Sequence, residues 1–426
     1  MTSLDEIARA LEGYDPQALS AQAVGEFLHR LVQPLTDTEE VELHHALDRV
    51  LAHELISPLS VPPHDNSAMD GYAFQGAQLV PGLALELEVQ GTALAGRAWQ
   101  GEVKAGQCVK IMTGAVMPAG LDTVLPQEFA QDAGPGCIRV PADVVQPGDN
   151  RRCCGEDLMQ GDVALAAGAR LGPAALGLIA SLGLARVLVR RRPKVAYFST
   201  GDEILQPGEL PREGAVYDSN RHTVHAMLTR LGCEVLDLGL VRDEPALLEQ
   251  AFRTAGAQAD AVITSGGVSV GEADHTKAMM KQLGDVAFWR IAMRPGRPMA
   301  VGRISQGGKS ALLLGLPGNP VAVMVTFLAF VRPALLRLMG AQPQPPVLLQ
   351  ARSQEVLRKK PGRTEYQRGL VSTALDGSLQ VRITGNQGSG VLSSMVQANG
   401  LIVLHHGQGQ VLPGDVVDVM MFDGVL

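Results

Sequence analysis

At 426 residues, 46% hydrophobic and 19% charged, the chain has core enough for about two to four folded domains, which excludes a disordered or fibrous class. A net charge of −8 excludes a nucleic-acid binder that relies on a general basic face, while leaving room for a local basic pocket. The 48 glycines and 26 prolines argue for many turns and against an all-helical bundle.

The first residues, MTSLDEIARALEGYD, carry neither a basic start nor an apolar run, so no signal peptide is expected. Ser3 and Glu6 are spaced as a helix capping box, and residues 4–31 read as one or two amphipathic helices. Residues 39–57 place apolar side chains at helical spacing and are expected to be helical. From 59 to 157 the chain is punctuated by Gly and Pro between short alternating runs such as ALELEVQG and CVKIMTG, which predicts a β-rich domain. Residues 158–190 are mixed, with a small-residue helix expected at 173–183. The five cysteines, at 108, 137, 153, 154 and 233, show no metal spacing and are expected to be reduced thiols of a cytoplasmic protein; the adjacent Cys153 and Cys154 carry the one hint of redox chemistry.

From about 193 the pattern turns α/β. KVAYFSTGDE is a strand ending in polar residues, RHTVHAMLTRLGC a helix with Gly232 at its end, and EVLDLGLVRDE a second strand. PALLEQAFRTAGAQ is a helix opening on Pro, and DAVITSGG a third strand. This alternation predicts a parallel sheet, whose ligands sit beyond the carboxyl ends of the strands. Those ends are STGDE (199–203), VRDE (241–244) and TSGGVSVGEAD (264–274), and each brings carboxylates. The apolar run VAVMVTFLAFV (321–331) has about half the ~20 residues that a membrane span needs, so it is read as a buried helix ending near Gly340. AQPQPP (341–346) is a linker, and the last 80 or so residues read as a small β-barrel. The domain expectation is N-terminal helices at 1–36 packing on the α/β domain, a linking region at 37–58 and 158–190, a β-rich domain at 59–157, an α/β domain at 191–341 and a barrel at 342–426.

Four chemical signals stand out. GRISQGGKS (302–310) imitates a phosphate-binding P-loop, but Arg303 occupies the position of its first glycine and the run joins two strands; it reads as a hairpin turn. His222 and His225 share a helix face without an evident third metal ligand. The basic run LRKKPGRTEYQR (357–368) sets Arg363 after a Pro-Gly turn, and RPGRP (294–298) sets Arg294 and Arg297 around a tight turn. Both suit oxyanions, because guanidinium offers a planar donor fork. Ser265, Gly266 and Gly267 open a glycine loop whose backbone can approach a phosphate closely. Carboxylates and arginines gathered at one sheet end fit a phosphorylated ligand with a divalent cation.

The motifs DNSAMDGYA (65–73), IMTGA (111–115), RRCCGEDL (151–158), STGDE (199–203), YDSN (217–220), SGGVSVGEADHT (265–276) and LPGNP (316–320) closely resemble the molybdopterin molybdenumtransferase family. These are the MoeA-type enzymes of molybdenum-cofactor synthesis, related to the gephyrin E domain. The resemblance covers nearly the whole chain, in order. It implies a multidomain α/β plus β fold whose central βαβ domain binds molybdopterin, in a homodimer with the active site between subunits. It implies insertion of molybdate into adenylylated molybdopterin with Mg2+-promoted hydrolysis of the adenylate, releasing molybdenum cofactor and AMP. A separate molybdopterin adenylyltransferase would act upstream, with neither nucleic acid nor membrane as a partner.

Matched motif to motif, Asp70, Asp157, Glu203, Asp243 and Asp274 look like the family's functional carboxylates. Asp243 and Asp274 are expected near the metal, Glu203 near the reacting centre, and Asp70 and Asp157 from the other subunit. Thr113, Ser269 and Pro317 look like pocket residues, and Asp218 and Asn220 line the pterin side. Because carboxylates repel molybdate, Mg2+ or protonated acids would have to relieve the repulsion. One departure is Arg294-Pro295-Gly296-Arg297-Pro298 where the family often has Lys-Pro-Gly-Lys-Pro. The alternatives are a non-catalytic scaffold of the gephyrin E-domain type and a competence-damage-type hydrolase sharing only the α/β domain.

Overall fold

The computed structural model describes residues 3–11, 13–268 and 275–422. The chain divides into two compact units, one made of 1–39, 48–52 and 189–426, the other of 40–47 and 53–188.

The first unit is built on a six-stranded sheet in the order Glu234–Val241, Lys194–Thr200, Ala261–Ser265, Lys309–Leu316, Pro298–Gln306, Gly284–Arg290. The first four strands run parallel, Pro298–Gln306 runs against them, and Gly284–Arg290 pairs antiparallel with Pro298–Gln306. Every residue of Ala261–Ser265 is buried, as a central strand covered on both faces requires. One face packs against a cluster that includes Phe252, stacked edge-on against Phe198 at 5.0 Å. The other takes the N-terminal helices Leu4–Arg9 and Ala21–Leu31, with Phe27 edge-on to Trp289 at 4.8 Å. The expected Ser3–Glu6 capping box is present.

Local signals set the helix ends. Asp218 caps Ser219–Leu231 by accepting from the Arg221 N–H at 3.0 Å, and Gly232 closes it at φ 92. Pro245 opens Pro245–Gln258. The P-loop imitation is indeed the two-residue hairpin Gly307-Gly308, both at positive φ, between Pro298–Gln306 and Lys309–Leu316.

The buried helix is longer than its apolar run implies. It spans Pro320–Leu338, 19 residues with a mean hydropathy of 1.9, enough by length and composition to cross a membrane, but 67% of that window is buried inside the protein. It continues through Pro333 because Phe327–Val331 widens into a π-turn, which accommodates the missing proline N–H. Beyond the linker, Thr364–Thr373, Leu379–Ile383, Leu349–Ser353, Val416–Met421 and Gly400–Leu404 pair in that order, and the first and last pair again to close a barrel. The short strand Met293–Arg294 joins it by pairing parallel with Thr364–Thr373, which sets Arg294 beside Glu365.

The second unit carries its own six-stranded sheet, ordered Thr123–Pro126, Gly71–Phe74, Gln107–Ile111, Leu85–Ala93, Cys137–Val140, Gln131–Asp132. Its small-residue helix is Pro173–Ser181. The helix expected over 39–57 is not formed. A strand at Thr38–Glu42, a single 3-10 turn at Leu43–His45 and a strand at Leu55–Ile56 stand there instead. Asp48 at φ 62 cannot continue a right-handed helix, and the Leu43 N–H is taken by the Ala185 carbonyl at 3.1 Å. The cysteines are free thiols; burial pushes those of Cys108 and Cys233 up to about 12, while Cys153 and Cys154 are exposed.

Candidate functional site

Beyond the carboxyl ends of the parallel strands in the first unit lies a cavity of about 1060 Å3. Three strand ends form its floor: Ser199 and Thr200 after Lys194–Thr200, Ser265 to Gly267 after Ala261–Ser265, and Pro317 to Asn319 after Lys309–Leu316. Gly266 and Gly267 have φ of 90 and 65, and a Cβ at Gly266 would lie 2.4 Å from the Thr200 carbonyl oxygen. Only glycine lets this loop turn so tightly against its neighbours. Beneath it, the Tyr197 hydroxyl lies 2.6 Å from Ser265 Oγ and 3.0 Å from Ser199 Oγ. Burial pushes the Tyr197 phenol up, so this layer stays neutral.

One side of the cavity offers acceptors. Asp218 is 4% exposed and Asn220 9%, yet Asp218 Oδ2 and Asn220 Oδ1 have no protein partner. Their other atoms are engaged, Asp218 Oδ1 in the helix cap and Asn220 Nδ2 on the Gly318 carbonyl at 2.7 Å. A buried acceptor without a donor costs about 1–3 kcal/mol, so two in residues lining one cavity are acceptors that a donor could satisfy.

The same cavity is lined by three arginines. Arg294 and Arg297 flank the turn at Pro295-Gly296, and Arg363 reaches in from the barrel. Arg363 is held by Glu365, whose Oε1 accepts from Nε at 2.8 Å and from Nη2 at 2.7 Å. Gln367 donates to Glu365 Oε2 at 3.2 Å. The barrel also contributes Gln387, Gly388, Ser389 and Gly390, which sequence reasoning missed. Arg368, 1% exposed, anchors this loop by donating from Nη2 to the Gly388 carbonyl at 3.0 Å and from Nε to Ser394 Oγ at 2.9 Å. Burial, with Arg294 alongside, brings the Arg368 guanidinium down to about 10. The only signal for the loop is the glycine-rich polar run TGNQGSG, residues 384–390, inside an otherwise stranded domain.

The expected carboxylates fall in three places. Glu203 lines the cavity. Asp243 stands behind it: Thr276 Oγ1 donates to Asp243 Oδ1 at 3.4 Å, Thr276 and Thr200 hydroxyls are 3.3 Å apart, and the Asp243 N–H faces Asp202 Oδ1 at 3.4 Å. Asp70, in the second unit, accepts on Oδ1 from both the N–H and the Oγ1 of Thr113, each at 2.7 Å. These two bonds hold its carboxyl below the usual carboxylate range. Asp157, in the same unit, is exposed, with its N–H on the Val61 carbonyl at 3.0 Å. Ser269 and Asp274 lie outside the described residues. His222 and His225 are exposed on their helix, and among the described residues no group of three or more His, Cys, Asp or Glu is placed to hold a metal.

Three family models match the chain: the MoeA N-terminal region (domain I and II) over residues 19–183, the probable molybdopterin binding domain over 196–337, and the MoeA C-terminal region (domain IV) over 350–422. The chain is 43% identical to a molybdopterin molybdenumtransferase of Haemophilus influenzae, over 95% of this chain and 98% of that one. It is 35% identical to one of a Nostoc species, over 97% and 95%. The crystal structure of a molybdopterin biosynthesis moeA protein from Pyrococcus horikoshii superposes with a TM-score of 0.79 at 27% identity, covering 95% of this chain and all of that one.

Proposed function

The chain belongs to the MoeA family of molybdopterin molybdenumtransferases, and from that premise we propose that this enzyme of molybdenum-cofactor biosynthesis inserts molybdate into adenylylated molybdopterin, hydrolysing the adenylate and releasing molybdenum cofactor and AMP. The observation that carries the reading is one cavity lined both by two residues with unpartnered buried acceptors and by three arginines.

A pterin presents an amino group and a ring N–H on one edge, and these are the donors that Asp218 Oδ2 and Asn220 Oδ1 lack. Molybdate and the substrate phosphates are oxyanions, which match Arg294, Arg297 and Arg363. The arginines in place of lysines keep the charge and add directional donors. The Ser265–Gly267 loop lets its backbone approach the ligand, and Glu203 lines the same cavity, where it can orient water.

The oxygen donors at this point, the carboxylates of Asp243 and Asp202 and the Thr276 hydroxyl, would suit a hard cation such as Mg2+. Bound there, Mg2+ would offset the charge of the phosphates and of molybdate. In this reading the chain works as a cytoplasmic homodimer, Asp70 and Asp157 of the partner subunit complete the site, and a separate adenylyltransferase supplies the substrate.

The test is to incubate the protein with adenylylated molybdopterin, molybdate and Mg2+ and to measure AMP. AMP release that depends on molybdate supports the reading; none above background overturns it in favour of a binding protein.

A further inference from the structure

Among the described residues only two carboxylates are buried, Asp218 and Glu365, and they behave oppositely. Asp218 leaves one buried oxygen without a protein partner. Glu365, 3% exposed, has both oxygens engaged, one by two N–H groups of Arg363 and the other by Gln367. Two donors on one oxygen fix the plane of the Arg363 guanidinium, so its remaining donors keep a set direction along the cavity wall.

The charge around Glu365 is lopsided. Lys359 is buried and donates only to the carbonyls of Lys360 and Gln408, at 2.8 and 3.1 Å. Arg368 is satisfied by the Ser394 hydroxyl and backbone carbonyls. Arg294 sits in register with Glu365 on the paired strand, and neither it nor Arg297 makes an ion pair among the described residues. Among the described residues Glu365 is thus the only carboxylate ion-paired with any of these five cations, Arg294, Arg297, Lys359, Arg363 and Arg368. Without it, a tetrahedral dianion would be held tightly where it first lands. Tight holding alone does not speed a transfer, since the anion must leave the guanidinium groups to reach the bound pterin.

We propose that Glu365 is a positioning residue that presents Arg363 to molybdate and, by its own charge, keeps molybdate affinity low enough for the anion to be passed on. The proposal rests on the oxyanion reading of the cavity given above.

The experiment uses the full chain with molybdate alone as probe, titrated by calorimetry at fixed ionic strength, with thermal melting as the check on folding. Glu365→Gln keeps an oxygen that can accept from Arg363 and removes the charge, so molybdate Kd should fall by about three- to tenfold. At saturating molybdate its AMP release should drop. Glu365→Asp keeps the charge but draws Arg363 back by one methylene, so its molybdate Kd should rise by a similar factor with molybdopterin affinity unchanged. A Glu365→Gln protein that melts like the wild type and binds molybdate no more tightly overturns the proposal. Should that variant not fold, an unchanged molybdate Kd in Glu365→Asp overturns it instead. Wild-type protein that binds molybdate no better than Arg363→Ala strikes at the cavity reading itself, and the proposal falls with it.

Discussion

Asn220 donates its side-chain amide to the Gly318 carbonyl at 2.7 Å while its own carbonyl oxygen stays unpartnered. One residue thus ties the start of Ser219–Leu231 to the turn before Pro320–Leu338 and still keeps a buried acceptor without a protein partner. Asn220→Ala removes both. The Gly318 carbonyl loses its donor, so unfolding free energy in urea should fall by about 1–3 kcal/mol. Pterin binding, followed by fluorescence titration, should weaken as well. A variant that loses stability but binds molybdopterin normally would assign Asn220 to the turn alone.

Asp218 separates the same two roles by chemistry. Asp218→Asn retains an oxygen to cap the Arg221 N–H, so stability should stay near the wild type, and the ligand loses a charged acceptor. Molybdopterin affinity should then drop by about tenfold or more, since hydrogen bonds to charged groups contribute about 1.5–3 kcal/mol. Asp218→Ala should lose that affinity and also about 1 kcal/mol of helix capping. Equal binding by wild type and Asp218→Asn would contradict the assignment of the pterin edge.

Gly266→Ala tests the floor. At φ 90 an alanine is strained, and its Cβ would meet the Thr200 carbonyl oxygen at 2.4 Å. The loop must shift, so molybdopterin binding should be lost while the second unit, which has its own sheet, stays folded by near-ultraviolet circular dichroism and limited proteolysis. Normal binding by this variant would show that the loop does not approach the ligand.

Asp70 titrates below the ordinary range because first the Thr113 N–H and then the Thr113 hydroxyl favour its charged form. A lowered folded-state pKa gives a contribution that is present above the unfolded value and lost as pH falls through the lowered one. The carboxylate is therefore ionised throughout the neutral range and adds no pH dependence to activity there. Thr113→Val keeps the backbone donor and removes the hydroxyl, so carbon-13 NMR should find the Asp70 titration moved part of the way up. An unmoved titration would contradict the role of the hydroxyl.

The α/β strands were legible because apolar runs with β-branched residues and flanking Gly or Pro are local signals, and the Gly307-Gly308 hairpin was legible for the same reason. The segment 39–57 was not, because helical spacing in a short stretch cannot show that Asp48 will turn left-handed. Glu365 and Arg368 escaped notice because TEYQRGL alternates like any strand, and nothing local distinguishes a buried charge from a solvated one. Their importance comes from partners such as Ser394 and Gly388, folded against them from further along the chain. Asp70 and Thr113 were each singled out from family motifs, but their pairing across 43 residues was not legible, because nothing local to either motif points to the other.

In the proposed function, one cavity holds a pterin at Asp218 and Asn220 and an oxyanion at the arginines. Crystals soaked in tungstate, a heavier analogue of molybdate, test it directly by anomalous scattering at the tungsten edge. The expected result is a peak within hydrogen-bonding reach of Arg294, Arg297 or Arg363, and its loss in Arg363→Ala. A peak elsewhere with these arginines empty, or one unchanged in the variant, would contradict it.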